Sequence, residues 1–451
     1  MKKILLIVIV ISLQTSAQCL SKISCGIDNM LAITSDGKLT SSGFNYSGSF
    51  GDGTTGNNYI IPTLVNSFSW LEITSGNSVS LAIKSDNTLW AWGDNEGMYG
   101  NGSTVDQNVP TQVGSLTNDW LKVDAGFSGV SAIKTDGTLW SWGSNFEGQM
   151  GIGAATPTGF PMQVGTSNDW QDISVGGNFS MALKNNNTLW AWGWNFVSSI
   201  GDGTTISRFS PVQVNSDTWQ KITAGYSHAV AIKSNGTLWA WGFNGAGETG
   251  NGTTNTSVTI PTQIGTANNW ISVSSSCNHS LALKSDGTIW AWGNNTSGQL
   301  GNNSTVDSSV PIQVGSDNNW VSIVAGCVSS FAKKTDGTFW GWGYNQQGTL
   351  GIGSQVNSLV PMQISCANLG TEGIQMSNFS IYPNPSTSVL NIQNIENTII
   401  KNISIIDLTG KKILDKKDNN ASVDIRNLQP GVYFIELEFE GGKQIEKFIK
   451  Q

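Results

Sequence analysis

A unit of about fifty residues recurs seven times in this chain, and six of the copies carry Trp-x-Trp-Gly. The tryptophan pairs are Trp90/Trp92, Trp140/Trp142, Trp190/Trp192, Trp239/Trp241, Trp290/Trp292 and Trp340/Trp342. A degenerate first copy, Thr40-Ser41-Ser42-Gly43, holds the same phase. Short repeats of fixed period bury their apolar faces against one another, so the period means a stacked or circular array.

Residues 120 to 161 show how one copy reads. Trp120, Val123 and Gly126 mark a first short strand, Ser131 to Lys134 a second and Thr138 to Gly143 a third. Asp136-Gly137 stands between the second and third, where Asp-Gly predicts a type I′ hairpin turn with positive φ at both central residues. The same position holds Asp36-Gly37, Asp286-Gly287, Asp336-Gly337, Asn235-Gly236, Asp86-Asn87 and Asn186-Asn187. A glycine-rich loop, Gly148 to Gly153, leads to Pro161 and a fourth strand around Val164.

Alternation along a strand puts both indoles of Trp-x-Trp on one face. The residue between them is small every time: Ala91, Ser141, Ala191, Ala240, Ala291 and Gly341. One bulky face and one bare face suit sheets packed face to face, with both tryptophans buried between blades. Four short strands per copy predict an all-β fold, a seven-bladed β-propeller. The expected closure has strands from the two ends of the array sharing one blade.

The string Ser280-Leu281-Ala282-Leu283-Lys284-Ser285-Asp286-Gly287-Thr288-Ile289-Trp290-Ala291-Trp292-Gly293-Asn294-Asn295, followed by Gly298-Gln299-Leu300-Gly301, resembles the regulator-of-chromosome-condensation repeat. The likeness runs in phase from residue 20 to residue 366. It implies a seven-bladed propeller, in agreement with the strand count. It implies no single activity, because the family's members serve in guanine-nucleotide exchange, chromatin binding, ubiquitin-ligase scaffolding and, in a secreted bacterial member, β-lactamase inhibition. Two departures stand out. The first copy lacks its tryptophans, and the even spacing leaves no room for the inserted wedge through which exchange members are implied to engage a GTPase.

Met1-Lys2-Lys3, the apolar run Ile4 to Leu13 and Thr15-Ser16-Ala17 form a secretory signal peptide over residues 1–17, cleaved before Gln18. The run is too short to span a membrane. Cys19 offers a lipoprotein alternative, against which stands Gln18 where a small residue is required. Residues 18–366 then form the propeller and 367–378 a linker. From 379 to 451 the composition shifts, with eight lysines and no tryptophan. Val389-Leu390-Asn391-Ile392, Ile403-Ser404-Ile405-Ile406 and Val432 to Leu437 alternate as the strands of a small C-terminal β-sandwich. Four motifs in order (Tyr382-Pro383-Asn384-Pro385, Asp407-Leu408-Thr409-Gly410-Lys411, Asn427-Leu428-Gln429-Pro430-Gly431-Val432-Tyr433 and Lys447-Phe448-Ile449-Lys450) resemble the type A C-terminal sorting domain of the type IX secretion system of Bacteroidetes. That resemblance implies contact with the type IX machinery. It also implies export across both membranes, with the product secreted or attached to the outer cell surface. No transmembrane segment remains after signal removal.

The composition weighs against several functions. Net charge is −8, Arg208 and Arg426 are the only arginines, and the propeller lysines recur singly at Lys84, Lys134, Lys184, Lys233 and Lys284. No basic stripe for nucleic acid results. Gly245-Ala246-Gly247-Glu248-Thr249-Gly250 has the spacing of a dinucleotide fingerprint but opens no helix, so no cofactor is expected. His228 and His279, the two histidines, take equivalent repeat positions and read as structural polar residues, not as a metal site. Gly51-Asp52-Gly53-Thr54 and Gly201-Asp202-Gly203-Thr204 supply one carboxylate each, where calcium takes roughly six or more oxygens. Arg208 alone cannot make the arginine cluster of a sialidase-like propeller. No carboxylate pair is placed for glycosidic acid–base work, so the chain is not expected to be an enzyme.

Five cysteines survive signal cleavage. Cys277 and Cys327 take the same repeat position in adjacent blades, while Cys19 or Cys25 and Cys366 flank the point of ring closure. Two bridges, Cys277–Cys327 and Cys19 or Cys25 to Cys366, stand against five free and partly buried thiols.

The most variable positions follow Trp-x-Trp-Gly. Directly after the glycine come Phe44, Asp94, Ser144, Trp194, Phe243, Asn294 and Tyr344; two residues further are Tyr46, Glu96, Phe146, Phe196, Gly245, Thr296 and Gln346. Equivalent positions of a propeller form a ring on one face. The candidate binding residues are therefore Phe44, Tyr46, Phe146, Trp194, Phe196, Phe243 and Tyr344, in one arc over copies 3 to 5 and another over copies 7 and 1. The alternative is that these rings pack between blades or cover loops. Copy 4 also breaks its own pattern: Ser198 stands where the other copies carry glycine, beside Phe196-Val197. Asp94, Glu96, Glu147 and Glu248 add a negative rim, suited to a neutral glycan or a basic protein surface. The sequence thus describes an exported propeller scaffold that binds a protein or glycan partner. The alternatives are a guanine-nucleotide exchange factor-like regulator, opposed by the export signals, and a glycan-active secreted enzyme, for which no residues stand out.

Overall fold

A computed structural model describes residues 19–66, 68–114, 117–366, 379–382, 385–394, 400–407, 411–417, 422–439 and 442–451. The expected signal peptide and linker lie outside these residues, as do Pro383-Asn384 and Leu408-Thr409-Gly410 of the sorting motifs. The chain divides into two units, one ending at Gly370 and one beginning at Thr371.

The first unit consists of seven antiparallel sheets, each of four consecutive strands. In blade 3 these are Trp120–Ala125, Gly129–Lys134, Leu139–Gly143 and Thr158–Gln163. The first strands of all seven blades end around one axial channel, so the first strand is innermost and the fourth forms the rim.

Closure differs from the expected strand exchange. Blade 1 takes only strands between Leu20 and Asn66, and blade 7 only strands between Trp320 and Gln363. Each copy already holds its four strands in hairpin order, so neither end has to lend one. The seam is closed by contacts instead. Leu20, Ile23 and Met30 of blade 1 share a core with Phe331, Phe339 and Leu350 of blade 7. The Gly353 N–H donates to the Ile60 carbonyl at 2.9 Å, a rim bond that Gly153 also makes to Phe209 at 2.7 Å. Cys19 and Cys366 are disulfide-bonded across the seam, with Cα atoms 6.0 Å apart.

The tryptophans explain the glycines. Trp92, Trp142, Trp192, Trp241, Trp292 and Trp342 are fully buried between blades. The Trp292 indole rests on Gly250 of the preceding blade, where an added Cβ would stand 2.8 Å from Nε1, and its N–H donates to the Glu248 carbonyl at 2.8 Å. The last of the "dinucleotide" glycines of copy 5 is thus the seat of an indole. At the seam, where copy 1 has no tryptophan, the Ser42 hydroxyl donates to the Thr349 carbonyl at 3.2 Å in its place.

The first tryptophan of each pair is not buried between blades as expected; Trp90, Trp140, Trp190, Trp239, Trp290 and Trp340 are half-buried. They sit next to the hairpin turn, packed on the margin of the inter-blade cores with part of each ring left open. There the repeating lysine finds its purpose. The Lys134 ammonium lies 4.9 Å from the Trp120 ring and 4.8 Å from the Trp140 ring, with the Asp119 carboxylate at 3.1 Å. Copies around Lys184, Lys233 and Lys334 repeat this clamp.

The hairpin turn also differs. Gly137 has φ +80° but Asp136 does not enter the positive region, so the turn is not type I′. The Gly137 N–H donates to the Lys134 carbonyl and the Lys134 N–H to the Thr138 carbonyl, the pattern of a type I turn followed by one left-handed residue. The Asp136 carboxylate selects it by accepting from both the Thr138 N–H, at 2.9 Å, and the Thr138 hydroxyl, at 2.6 Å.

Around the channel a second set of bonds runs from blade to blade. A side-chain oxygen of Ser24, Thr74, Asp124, Ser174, Thr223 or Ser274 accepts the N–H of Ser75, Ala125, Val175, Ala224, Ser275 or Ala325 on the next blade, at 2.7 to 3.3 Å. At the seam the equivalent residue is Val324, which has no acceptor.

The second unit pairs a three-stranded sheet with a four-stranded one. Both contribute to one core, which includes Leu390, Ile392, Ile403, Ile405, Val423, Ile435, Leu437 and Phe448. This is the small C-terminal β-sandwich the alternating runs predict.

Candidate functional site

The third strand of every blade closes with a glycine of positive φ at or next to its end, and the residue after that glycine is held beside the start of the second strand. In blade 4 the Trp194 N–H donates to the Asn178 carbonyl at 2.8 Å; in blade 1 Phe44 bonds Asp28 the same way at 2.9 Å. An asparagine follows, fully buried at Asn45, Asn95, Asn145 and Asn195, whose side chain ties the long loop to itself ahead of the rim strand. Asn195 donates to the Thr204 carbonyl at 3.0 Å and accepts the Ile200 N–H at 2.9 Å. The residue after that asparagine is forced outward. Phe146 is 72% exposed, Phe196 65% and Tyr46 55%.

The candidate aromatics therefore occupy a loop face, although they do not form one continuous stack. Trp194 and Phe196 meet edge to face at 5.9 Å, and Phe44 lies 6.4 Å from Tyr46. Trp194, Phe44 and Tyr344 are half-buried, and Phe243 folds over Gly245. Among the described residues no ring contact joins Phe146 or Phe243 to the Trp194 pair.

Two aromatics that the repeat pattern did not single out complete the face. Phe127 and Tyr226 follow the glycine that ends the first strand, and they meet across blade 4 with ring centroids 4.7 Å apart in a T-shape. The gap is bridged because blade 4 carries Gly177, whose N–H donates to the Tyr226 carbonyl at 3.0 Å. A Cβ at Gly177 would lie 3.0 Å from the Tyr226 ring. Aligning the residue after that glycine (Ile27, Asn77, Phe127, Gly177, Tyr226, Cys277, Cys327) would have revealed this inner ring.

Ser198 has φ +65° and is fully buried, and its hydroxyl has no hydrogen-bond partner. Strain and an unpaired buried hydroxyl fall two residues after the exposed Phe196, in the one copy that departs from glycine.

The other residues considered from the sequence have structural partners. Asp202 accepts from Arg208 Nε at 2.8 Å and from the Thr204 N–H at 3.0 Å. Asp52 accepts from the Thr54 N–H at 2.9 Å and the Tyr59 hydroxyl at 2.8 Å. His228 and His279 are buried and contact Ser280 and Ser330 of the following blades at 2.9 Å each. Burial holds His228 down at about 3, with His279 adding to the effect, and holds His279 down at about 4. Cys277 and Cys327 are disulfide-bonded across blades 6 and 7 with Cα atoms 4.7 Å apart. Cys25 is free, and burial pushes its thiol up to about 12. Among the described residues no group of three or more His, Cys, Asp or Glu is placed to hold a metal ion, and no helix is long and apolar enough to cross a membrane.

Seven four-stranded blades around an axis define a propeller-type repeat protein. The family model of the regulator of chromosome condensation (RCC1) repeat matches residues 136–183, 186–232, 235–283, 286–332 and 336–375, and the chain belongs to that family. A second model of the same repeat matches residues 170–198, 219–248 and 270–299. Residues 380–451 match the secretion system C-terminal sorting domain, which directs the chain to the cell surface or beyond it.

Solved structures with a similar fold include yeast RCC1 (Prp20) bound to Kap60, at 18% identity over 81% of this chain and 87% of that one, with a TM-score of 0.65. Prp20p from Saccharomyces cerevisiae is 17% identical over 81% of this chain and 90% of its own, also with a TM-score of 0.65. Human WBSCR16 is 20% identical over 68% of this chain and 84% of its own, with a TM-score of 0.59. A search of curated proteins found no match.

Proposed function

We propose that this chain is an exported binding module and not an enzyme. Its propeller engages a protein or glycan partner through the loop face of blades 3 to 5. The observation that carries this reading is the exposed aromatic surface there: Phe146, Phe196, Phe243 and Tyr226 are all exposed, and Trp194 stands edge to face against Phe196. Exposed aromatic groups rimmed by polar residues mark interaction surfaces. The strained, unpaired Ser198, two residues after Phe196, supports the same place, since a broken local rule is expected at a functional site. The yeast neighbour, solved bound to Kap60, is a precedent for a propeller of this fold holding a protein. A nucleotide-exchange role has no such support: third and fourth strands are joined by loops of similar length in all seven blades, so none carries a wedge.

The test begins with pull-down of surface and secreted material on residues 18–370. The affinity of the captured partner is then measured for Trp194→Ala and Phe196→Ala. Truncation of an aromatic anchor costs about 2 kcal/mol or more, roughly thirtyfold in affinity. Unchanged affinity in both folded variants would move the site off this face.

A further inference from the structure

Between blades 1 and 2 the same loop face opens into a hollow of about 380 Å³. Three carboxylates line it: Asp28 at the start of the second strand of blade 1, and Asp94 and Glu96 after the third strand of blade 2. Among the described residues none of the three makes a side-chain hydrogen bond or ion pair, and no lysine or arginine lines the hollow. Burial lifts the Asp28 and Asp94 carboxyls above the ordinary range, and Asp106 and Glu96 push Asp94 further. The negative charge here lacks compensation within the chain.

Two further observations point to a ligand. Phe44 and Tyr46 form an aromatic wall on the blade 1 side, with ring centroids 6.4 Å apart. Asn29 and Ser49 also line the hollow, and they are only 4% and 2% exposed. The Asn29 side-chain N–H₂ and the Ser49 hydroxyl both lack any hydrogen-bond partner. A buried polar group without a partner is costly and calls for an explanation.

The combination selects among ligands. Carboxylates and aromatic faces together attract an ammonium or guanidinium group. A bare metal ion would gain nothing from the rings, and no three acidic groups here converge closely enough to chelate one. The unpaired Asn29 donor requires an acceptor, which a simple amine lacks and a peptide backbone supplies. We propose that this hollow is a recognition pocket for a basic residue of a polypeptide, with its cationic side chain among Asp28, Asp94 and Glu96 and a backbone carbonyl on Asn29. The site is separate from the aromatics of blades 3 to 5, so the two readings fail independently.

The experiment titrates the full exported protein with three blocked tripeptides, Gly-Arg-Gly, Gly-Lys-Gly and Gly-Gln-Gly, followed by NMR of the peptides at low and high salt. The arginine and lysine peptides should bind, and the glutamine peptide at least tenfold more weakly. The double variant Asp94→Asn/Glu96→Gln should lose at least tenfold for the basic peptides while keeping its thermal midpoint. High salt should have the same effect on the parent protein. Asp286→Asn, at a turn where copies 4 and 5 already carry asparagine, should change nothing. Equal binding of the glutamine peptide, no binding of any peptide, or unaltered binding by the double variant overturns the proposal. So does saturable calcium binding that the double variant abolishes while the peptides stay free. None of these results touches capture of a partner by Trp194 and Phe196.

Discussion

The sharpest test of the blade packing is to compare the two tryptophans of one pair. Trp292 is fully buried, rests on Gly250 and donates to the Glu248 carbonyl at 2.8 Å. Trp292→Ala removes an indole from a close-packed site that cannot collapse, because the seat is backbone. Large-to-small changes of this kind cost about 3–5 kcal/mol. The Glu248 carbonyl keeps the Ser280 hydroxyl as a donor at 3.4 Å, so the expected loss stays at about 3–5 kcal/mol. Trp290, two residues earlier, is half-buried; its indole N–H donates to the Thr288 hydroxyl at 3.1 Å and its ring faces Lys284 at 4.1 Å. Trp290→Ala exposes little new core and loses a cation–π contact of about 0.5–1 kcal/mol. Its expected cost with the lost contact area is about 1–2 kcal/mol. Guanidinium unfolding at pH 7, followed by far-UV circular dichroism with disulfides intact, reads both. Losses within about 1 kcal/mol of each other, set against these mutational ranges, would refute the distinction between seated and edge tryptophans.

Val324→Thr should supply the acceptor missing from the axial bonds at the seam. It should raise stability by about 0.5–1.5 kcal/mol, and a destabilised variant would show that the seam has no N–H waiting there. His228 and His279 are held well below 6.5, so the unfolded chain binds more protons than the folded one as pH falls through that value, and stability should drop with acid. At pH 5 the loss is about 2 kcal/mol per histidine. His228→Phe, which copies Phe179 of blade 4, should remove about half of the histidine contribution between pH 7 and 5, and an unchanged slope refutes the account. Asp124 has the opposite sign, since burial lifts it to about 6: its contribution is full when protonated and is lost as pH rises through 6. Asp124→Asn should therefore gain about 1–2 kcal/mol at pH 7 and little at pH 4, and a loss at pH 7 counts against it. Thiol titration without reductant should find no reactive cysteine in the folded protein and one, Cys25, after denaturation; five would refute both bridges.

Much of the fold was legible because its causes are local. Trp-x-Trp spacing, the small residue between the indoles and the turn pair recur in phase, and each acts within one hairpin or on the next blade. The misreadings arose where a side chain decides the outcome. The side chain of Asp136 chooses the turn type by capping Thr138, which the Asp-Gly pair alone does not reveal. Trp140 stays half-buried at the margin of the inter-blade core, with Lys134 over its ring. The candidate face shows the same division. The outward direction of Phe146 and Phe196 follows from their repeat position, whereas Phe127 and Tyr226 meet only because Gly177 leaves a gap between blades that are not adjacent.

Because each blade is one uninterrupted stretch of chain, the place where the ring is sealed is not built into any sheet. Moving the termini to another inter-blade loop would leave all seven sheets whole, and a duplicated or deleted copy would alter the circumference without rethreading a strand. The seam is therefore the interval freest to diverge. Both of its flanks have done so: in blade 1 Ser42 stands for the seated tryptophan, in blade 7 Val324 stands for the axial acceptor, and a covalent bond between Cys19 and Cys366 secures the ends.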